Sequence, residues 1–472
     1  MKPAIFFCDL SADQIKTAKT WSTANGAMRR DHTEHKLTFG KSIQLEVNTN
    51  PENRASVKNV DHLTKDLIAS ACFIYQADRM ITRPQKWFRE LEFHIGVHES
   101  GLWKSSASHL DKILRHLTRD TVRTQFYKFA GKRDVLNLPR LVGQREEGVC
   151  VFGDNLDAIA GATIVNGANG IVASYRYGPP ERPAKYHHAL FDQIEKLTRP
   201  LDYVGFRIIP QTLSRPDPTQ RTKGFLQLAL AAAVASGIGL ENVEQLQVFG
   251  NGISSYHLKN YQLCGTGYSV RDTHPLFLKL VQELFKRLFS DSQGLRVVNQ
   301  FQYLTPSGVL QQLLGSLAEE DARKLFAETN NCSERSLAQS FGVSHCGCCF
   351  SCKVRRLAAL AAKLEEKNDF TPYATDPLVN KVPSGFKSKL SKPNKDRVEE
   401  YHERGLFGLK RYIQGFRQPK DEDIISLAGI GREITDLATE TLDVGGIRTV
   451  QDMQKEIIKL HKQFADEANP YI

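Results

Sequence analysis

The residues of this chain best suited to chemistry crowd into one stretch, NCSERSLAQSFGVSHCGCCFSCKVRR, residues 331–356. Five of its nine cysteines lie there: Cys332, Cys346, Cys348, Cys349 and Cys352. Cys346, Cys349 and Cys352 recur every third residue, and Cys332 stands one loop upstream. Four thiolates on two short knuckles suit a tetrahedral structural Zn²⁺. The expected ligands are therefore Cys332, Cys346, Cys349 and Cys352. Cys348 breaks the rhythm and is the spare. The alternatives are a set of free or redox-active thiols, or His345 as a substitute ligand. The other four cysteines, Cys8, Cys72, Cys150 and Cys264, stand singly in apolar contexts. That pattern fits buried thiols in a reducing cytoplasm.

The elements that must position these residues follow from length and patterning. A chain of 472 residues is expected to form two or three domains. It shows no apolar run long enough to span a membrane and no signal-peptide pattern at its start. A net charge of +10 favours an anionic partner, a nucleotide or a nucleic acid, but the charge is spread along the chain.

Residues 1–140 are expected to form a mixed α+β accessory domain. Its strands are Pro3–Leu10, Leu37–Val47, Trp87–Val97 and Val122–Phe129, and its helices Val60–Ile81 and Ser105–Leu117. Asp78 and Arg79 are expected to be a surface pair. Residues 141–330 alternate strands with helices: Gly148–Gly153, Ala158–Ala168, Ile171–Tyr175, Ala184–Leu197, Tyr203–Pro210, Gly224–Ser236 and Glu244–Phe249. Such alternation predicts an α/β fold, a parallel sheet with helices on both faces. Ligands in that fold sit beyond the carboxyl ends of the strands. Gly153–Ala158, Gln220–Gly224 and Gly250–Ser255 would meet there. Residues 331–366 hold the knuckle and a following helix. Residues 367–472 form a helical region with helices Val398–Phe416, Glu422–Thr441 and Val450–Ala468. A basic stretch, Lys387, Lys389, Lys392, Lys395 and Arg397, is either a solvated linker or a contact for nucleic acid or an acidic partner.

The turn FGDNLDA after the strand at 148–153 has two readings. Its backbone N–H groups and the helix N-terminus suit a phosphate. It is also an ordinary turn that Asp154 or Asn155 would cap. Arg221 and Lys223 place positive charge at a helix start, where it is locally unfavourable, and so favour an anion beside them. His274, before Pro275, is expected to cap a helix.

The span 140–360 resembles the 7-cyano-7-deazaguanine synthase family, a branch of the PP-loop ATP pyrophosphatases. VCVFGDNLDAIAGA stands where that family has a strand, an SGGxDS loop and a helix. QRTKGFLQLALAAA is similar to its R-N-x-x-F-L-x-x-A helix start. VFGNGISSY stands where its G-x-N stretch follows a strand, and HCGCCFSCKVRR matches its zinc knuckle. WFRELEFHIGV, YQADRM and RDTHP resemble the family's anti-phage defence branch. The resemblance implies a PP-loop sheet, ATP and Mg²⁺, and a 7-deazaguanine derivative. Its carboxylate would be activated and joined to an amine, which a partner protein of the same defence system can supply, or converted to amide or nitrile. It also implies a nucleotide site of Gly153, Asp154, Asn155, Leu156, Asp157, Ala158, Gly250, Asn251 and Arg271. Asp157 would hold the metal, and Arg221 and Lys223 would act on the phosphates. Asp272 would be an acid or base. The loop departs from the family pattern: both serines are replaced, and the two glycines are Asp154 and Asn155. Three readings follow: a retuned ligase, a non-catalytic binding subunit, and a nucleic-acid-binding protein.

Overall fold

The computed structural model describes residues 3–24, 32–49, 57–82, 89–133, 137–139, 146–166, 170–177, 185–198, 202–210, 221–240, 243–256, 271–289, 295–364, 371–379, 392–399, 405–417 and 450–472, with isolated positions between 381 and 402. The first elements are β1 (Ala4–Cys8), α1 (Ala12–Ala24), β2 (Thr33–Leu37), β3 (Ile43–Thr49), β4 (Val57–Asn59), α2 (His62–Met80), β5 (Glu90–Val97), α3 (Ser100–Thr118), β6 (Thr121–Lys128) and β7 (Asn137–Pro139). Strands β2, β1, β5 and β6 form a four-stranded sheet in that order, and every neighbouring pair is parallel. This corrects the expected α+β arrangement: the first sheet is itself α/β. Parallel neighbours need crossover connections, usually helical, and α1, α2 and α3 lie in those crossovers. The helix at Ala12–Ala24 escaped the sequence reading because its stretch, ADQIKTAKTWSTA, buries only Ala18 and Ser22 and carries no apolar stripe.

The second sheet contains β8 (Glu146–Phe152), β9 (Gly170–Tyr177), β10 (Asp202–Pro210), β11 (Val243–Val248) and β12 (Arg296–Asn299). Between them run α4 (Leu156–Asn166), α5 (Lys185–Leu197), α6 (Lys223–Ile238), the short α7 (Gly252–Ser255) and α8 (Pro275–Leu288). The strand order is β12-β11-β8-β9-β10-β3. All its pairs are parallel except β10–β3, where the strand from the first part of the chain adds antiparallel to the edge. The chain runs outward from β8 to β9 and β10 on one side and then to β11 and β12 on the other. The order reverses between β8 and β11, which leaves a crevice at their carboxyl ends.

Helix α6 explains how the two sheets join. Its sequence, KGFLQLALAAAVASGI, is apolar all round, as a helix buried on every face must be. It is packed between the second sheet and α2, while α3 packs on α8, so one apolar core runs through both sheets. Each large side chain buried there contributes about 1.5–3 kcal/mol. A buried ion network ties the same seam. Arg89 Nη2 donates to Asp78 Oδ1 and, at 2.6 Å, to Asp120 Oδ2. Thr222 Oγ1 donates to Asp78 Oδ2 at 3.0 Å. Asp78 is therefore buried and bonded to Arg89, which corrects its expected surface pairing with Arg79. Replacing Arg89 with Met leaves two buried carboxylates without their cation. The expected loss is about 3–5 kcal/mol in urea unfolding, and an unchanged midpoint would show the network to be dispensable.

The remaining helices of the described residues are α9 (Pro306–Ser316), α10 (Glu319–Glu328), α11 (Arg335–Ser340), α12 (Phe350–Ala361), α13 (Lys392–Glu399), α14 (Gly405–Arg417) and α15 (Val450–Ala468). Helix α9 packs on α4 and α12, and α14 and α15 pack on each other and on α12. The helix expected over Val398–Phe416 is divided between α13 and α14. Lys392, Lys395 and Arg397 fall within α13, while Lys387, Lys389 and the helix expected over 422–441 lie outside the described residues. No helix of the described residues is long and apolar enough to cross a membrane.

Candidate functional site

The crevice between β8 and β11 opens into a cavity of about 420 Å³. The β8–α4 turn brings Asp154, Asn155, Leu156 and Asp157 to it, the start of α6 brings Lys223, and the β11–α7 turn brings Gly250 and Asn251. These residues are far apart in sequence, and their meeting is a consequence of the strand order. Two glycines permit the close approach. A Cβ on Gly224 would lie 2.1 Å from Asp272 Cβ, and one on Gly250 would lie 2.6 Å from the Thr273 side chain. Asn299, the last residue of β12, holds Gly250 from both sides. Its Oδ1 accepts from Gly250 N at 3.1 Å, and its Nδ2 donates to Gly250 O at 2.8 Å.

The turn itself is occupied by its own side chains. Asn155 Oδ1 accepts from Ala158 N at 2.8 Å, so Asn155 caps α4. Leu156 N donates to Asn331 Oδ1 at 3.2 Å. Asp154 makes a two-pronged pair with Arg335, Nη1 to Oδ2 at 2.8 Å and Nη2 to Oδ1 at 2.9 Å. Such a fork-to-carboxylate pair combines strength with fixed geometry.

Deeper in the cavity, Asp157 Oδ2 accepts from Asn251 N at 3.0 Å and from Asn251 Nδ2 at 2.8 Å. Burial nevertheless raises its carboxyl from the ordinary 3.8 to about 6, and nearby Asp272 adds to the rise. Burial likewise raises Asp272, with Lys223 opposing. Burial lowers the Lys223 ammonium, which Asp154 and Asp272 partly restore. Because the folded value of Asp157 is raised, its contribution to stability is complete below pH ~4 and is lost as the pH climbs through about 6. Asp157→Asn should remove that step. Between pH 5 and 7.5 the natural chain should lose about 1–3 kcal/mol relative to the variant in denaturant unfolding. Parallel profiles would mean that the carboxyl is already ionised at pH 5.

Some expected site residues lie elsewhere. Arg221 is buried in the seam between the sheets, with Nη1 donating to Thr118 O at 2.8 Å. Gly153, Ala158 and Arg271 flank the cavity without lining it. His274 caps α8 as expected, accepting from Leu276 N through Nδ1 at 3.2 Å. Sequence reasoning missed Arg335, Asn331 and the aromatic wall of Phe350, Tyr412 and Phe464. Arg335 lies among the cysteines, but no spacing rule marks it. Tyr412 and Phe464 read only as the apolar faces of amphipathic helices.

The cysteines lie beside this cavity, with Cys332 in its lining. The Sγ atoms of Cys332, Cys346, Cys349 and Cys352 all lie within 4.8 Å of one another, and all four residues are buried. Cys349 and Cys352 sulfurs are 3.4 Å apart, and those of Cys346 and Cys352 are 3.9 Å apart. Zn–S bonds of about 2.3 Å in a tetrahedron require S···S separations near ~3.8 Å, so the set is compatible with a structural Zn²⁺. Backbone amides of Cys348 and Cys349 donate to Cys346 Sγ at 3.3 and 3.4 Å, and that of Cys346 to Cys332 Sγ at 3.4 Å. Such bonds orient and stabilise thiolates. Gly347 makes the knuckle possible. Its φ is +76°, and a Cβ there would lie 1.7 Å from Thr375 O. Cys348 is buried outside the quartet, with its Sγ toward Cys346 O at 3.7 Å. His345 also stays out of it and bonds Ser344 Oγ at 2.8 Å.

Knuckle and turn are joined at several points: Asn330 N donates to Asp154 O at 2.5 Å, Arg335 pairs with Asp154, and Asn331 adds a third link. Asn331, next to the ligand Cys332, accepts from Leu156 N and, at 3.4 Å, from Arg355 Nη1. Arg355 also donates to Phe326 O at 2.6 Å and lies over the Phe326 ring at 3.7 Å. Cys332 and Arg335 themselves line the cavity. Compared with known proteins, the chain matches no family model, no curated protein and no solved structure.

Proposed function

We propose that the cavity binds ATP and that the chain is an ATP-dependent ligase of the 7-cyano-7-deazaguanine synthase type, working in the cytoplasm in anti-phage defence. One observation supports this reading above the others. The altered SGGxDS turn, the start of α6, the β11–α7 turn and Cys332 of the cysteine quartet converge on one cavity at the crevice between β8 and β11. The carboxylate of a 7-deazaguanine derivative attacks the α-phosphorus of ATP, the bond to the β-phosphate breaks, and pyrophosphate leaves. An amine, supplied by a partner protein, then attacks the acyl carbon and AMP leaves. Lys223 and Arg335, two of the cavity-lining cations, would face the developing phosphate charge. Asp157 and Asp272 are cavity-lining carboxylates of the kind that hold Mg²⁺ together with phosphate oxygens. Mg²⁺ bound there supplies charge neutralisation of the leaving pyrophosphate. The quartet offers no open position for a substrate and serves as a wall.

A second reading, a binding subunit without ATP cleavage, draws on the turn. Leu156 N and Ala158 N are already bonded to Asn331 and Asn155, and the Asp154 carboxylate sits on Arg335. Calorimetric titration of the zinc-loaded chain with Mg-ATP, with pyrophosphate release measured in parallel, separates the two. The ligase reading expects binding and release that need both the carboxylate and an amine. Binding without release in any combination favours the second reading, and no binding removes the first.

A further inference from the structure

The cavity has two unlike halves. One carries the charged groups Asp154, Asp157, Asp272, Lys223, Arg335 and Arg355, the last bonded to Asn331 beside the turn. The other is apolar and largely aromatic: Phe249 and Ile253 after β11, Phe350 and Val354 on α12, Tyr412 on α14 and Phe464 on α15. Helices α14 and α15 thus reach the site from far along the chain.

That aromatic wall is held firmly. Tyr412 and Phe464 rings lie 6.0 Å apart at 56°, and Tyr412 OH is bonded to His461 Nδ1 at 2.5 Å. His461 stacks on Phe416 at 5.2 Å. Helix α15 is bolted over the site at both ends of its contact. Leu460 fills the space that a side chain at Gly252 would need, and Glu467 accepts from Thr305 Oγ1 at 3.2 Å and Ser307 Oγ at 2.5 Å. Phe350 and Val354 are only half-buried although they belong to the same apolar cluster, because they face the cavity. Ser254 and Ser351 bring hydroxyls to the lining of the cavity.

A fixed aromatic wall opposite a charged wall fits a ligand that is itself divided, with a planar ring at one end and an anion at the other. We infer that α14 and α15 are part of the ligand site, and that Tyr412 and Phe464, with Phe350 and Val354 on α12, seat a planar heteroaromatic base. The anionic end then points to Lys223 and Arg335. This inference rests on the nucleotide reading of the cavity and adds which elements select the base. Stacking on such side chains contributes about 1–3 kcal/mol per base.

The test separates the halves with separate probes. The full zinc-loaded chain is titrated with adenosine and with 7-deazaguanosine, which carry a base and no phosphate, and with Mg-pyrophosphate, which carries no base. Phe350→Ala should weaken nucleoside binding about 10-fold, and Val354→Trp, which fills the apolar half, should abolish it. Mg-pyrophosphate affinity should stay within about twofold in both variants, and zinc content and melting should match the natural chain. Nucleoside affinity that is equal in the natural chain and both variants overturns the inference. So does binding of Mg-pyrophosphate with no nucleoside binding, although the phosphate half of the proposed function then survives. If no probe binds and Mg-ATP fails as well, the nucleotide reading falls and takes the inference with it.

Discussion

Replacing Cys349 with serine is expected to strip the metal and to abolish ligand binding in the cavity while the first sheet stays folded. The natural chain should carry about one zinc ion; the variant should carry none. Structural zinc is worth roughly 10–16 kcal/mol in isolated zinc-finger peptides, as much as the whole stability of many domains, about 5–15 kcal/mol. The quartet's cluster contains few large apolar side chains besides Leu337, Phe386, Leu390 and Val398. Without the metal, buried thiols that repel one another when ionised have nothing to hold them together. The loss should travel along these links, because Asn331, the neighbour of Cys332, accepts from Leu156 N, and Asn330 N donates to Asp154 O. Hydrogen exchange would read this directly. Protection should fall across residues 329–361 and at 154–158, and persist in β1, β5 and α6, which belong to a separate core. Cys348→Ser is the control, expected to keep its zinc because Cys348 lies outside the quartet. A Cys349→Ser chain with unchanged melting and exchange would show that the thiols pack without a metal.

The second large effect concerns the turn. Asp154→Gly with Asn155→Gly should tighten Mg-pyrophosphate binding about 10-fold or more. Asp154 holds Arg335 in a two-pronged pair and also lies among the charges acting on Lys223. Removing its carboxylate releases one cation and removes a repulsive charge from the anion's path. Two charges ~4 Å apart interact by about 4 kcal/mol at an effective dielectric of 20. The Arg335 side chain is 49% exposed, so solvent screens much of that, and a net gain of about 1.4 kcal/mol is the reasonable floor. The cost is small, since glycine in place of an N-cap asparagine loses only a few tenths of a kcal/mol, by about the usual capping difference. Binding by the natural chain and a modest gain in the variant would mark the turn as retuned. Binding by the variant alone would mark the natural chain as a binding subunit and shift attention to its protein partner. Equal binding by both would mean that Asp154 does not compete with the ligand. Failure of both would move the cavity's ligand away from polyphosphates.

The sequence by itself determined what depends on near neighbours. The three-residue rhythm of Cys346, Cys349 and Cys352, with Cys332 upstream, named the four sulfurs that the structure brings together. Strand–helix alternation from 148 onward placed β8 to β11, and His274 before Pro275 marked the start of α8. The amphipathic pattern at Val450–Ala468 marked α15. These features rest on caps, spacing and periodicity, which act within a few turns of chain.

Tertiary structure decided everything that joins distant segments. No local pattern states that β3 leaves its neighbours to pair with β10, or that α1 crosses between parallel strands. Arg221 and Lys223 are two residues apart, yet one faces Thr118 in the seam and the other faces the cavity. Asp78 and Asp120 share Arg89, 11 and 31 residues away, as the partner of their buried charges, and Arg335 reached back 181 residues to Asp154. A buried charge must find its opposite wherever packing puts it, because leaving it unpaired costs several kcal/mol, about 3–5. The same holds for Tyr412 and Phe464. Their helices must bury an apolar face, and only the assembled fold determines that the surface they meet is the wall of a cavity.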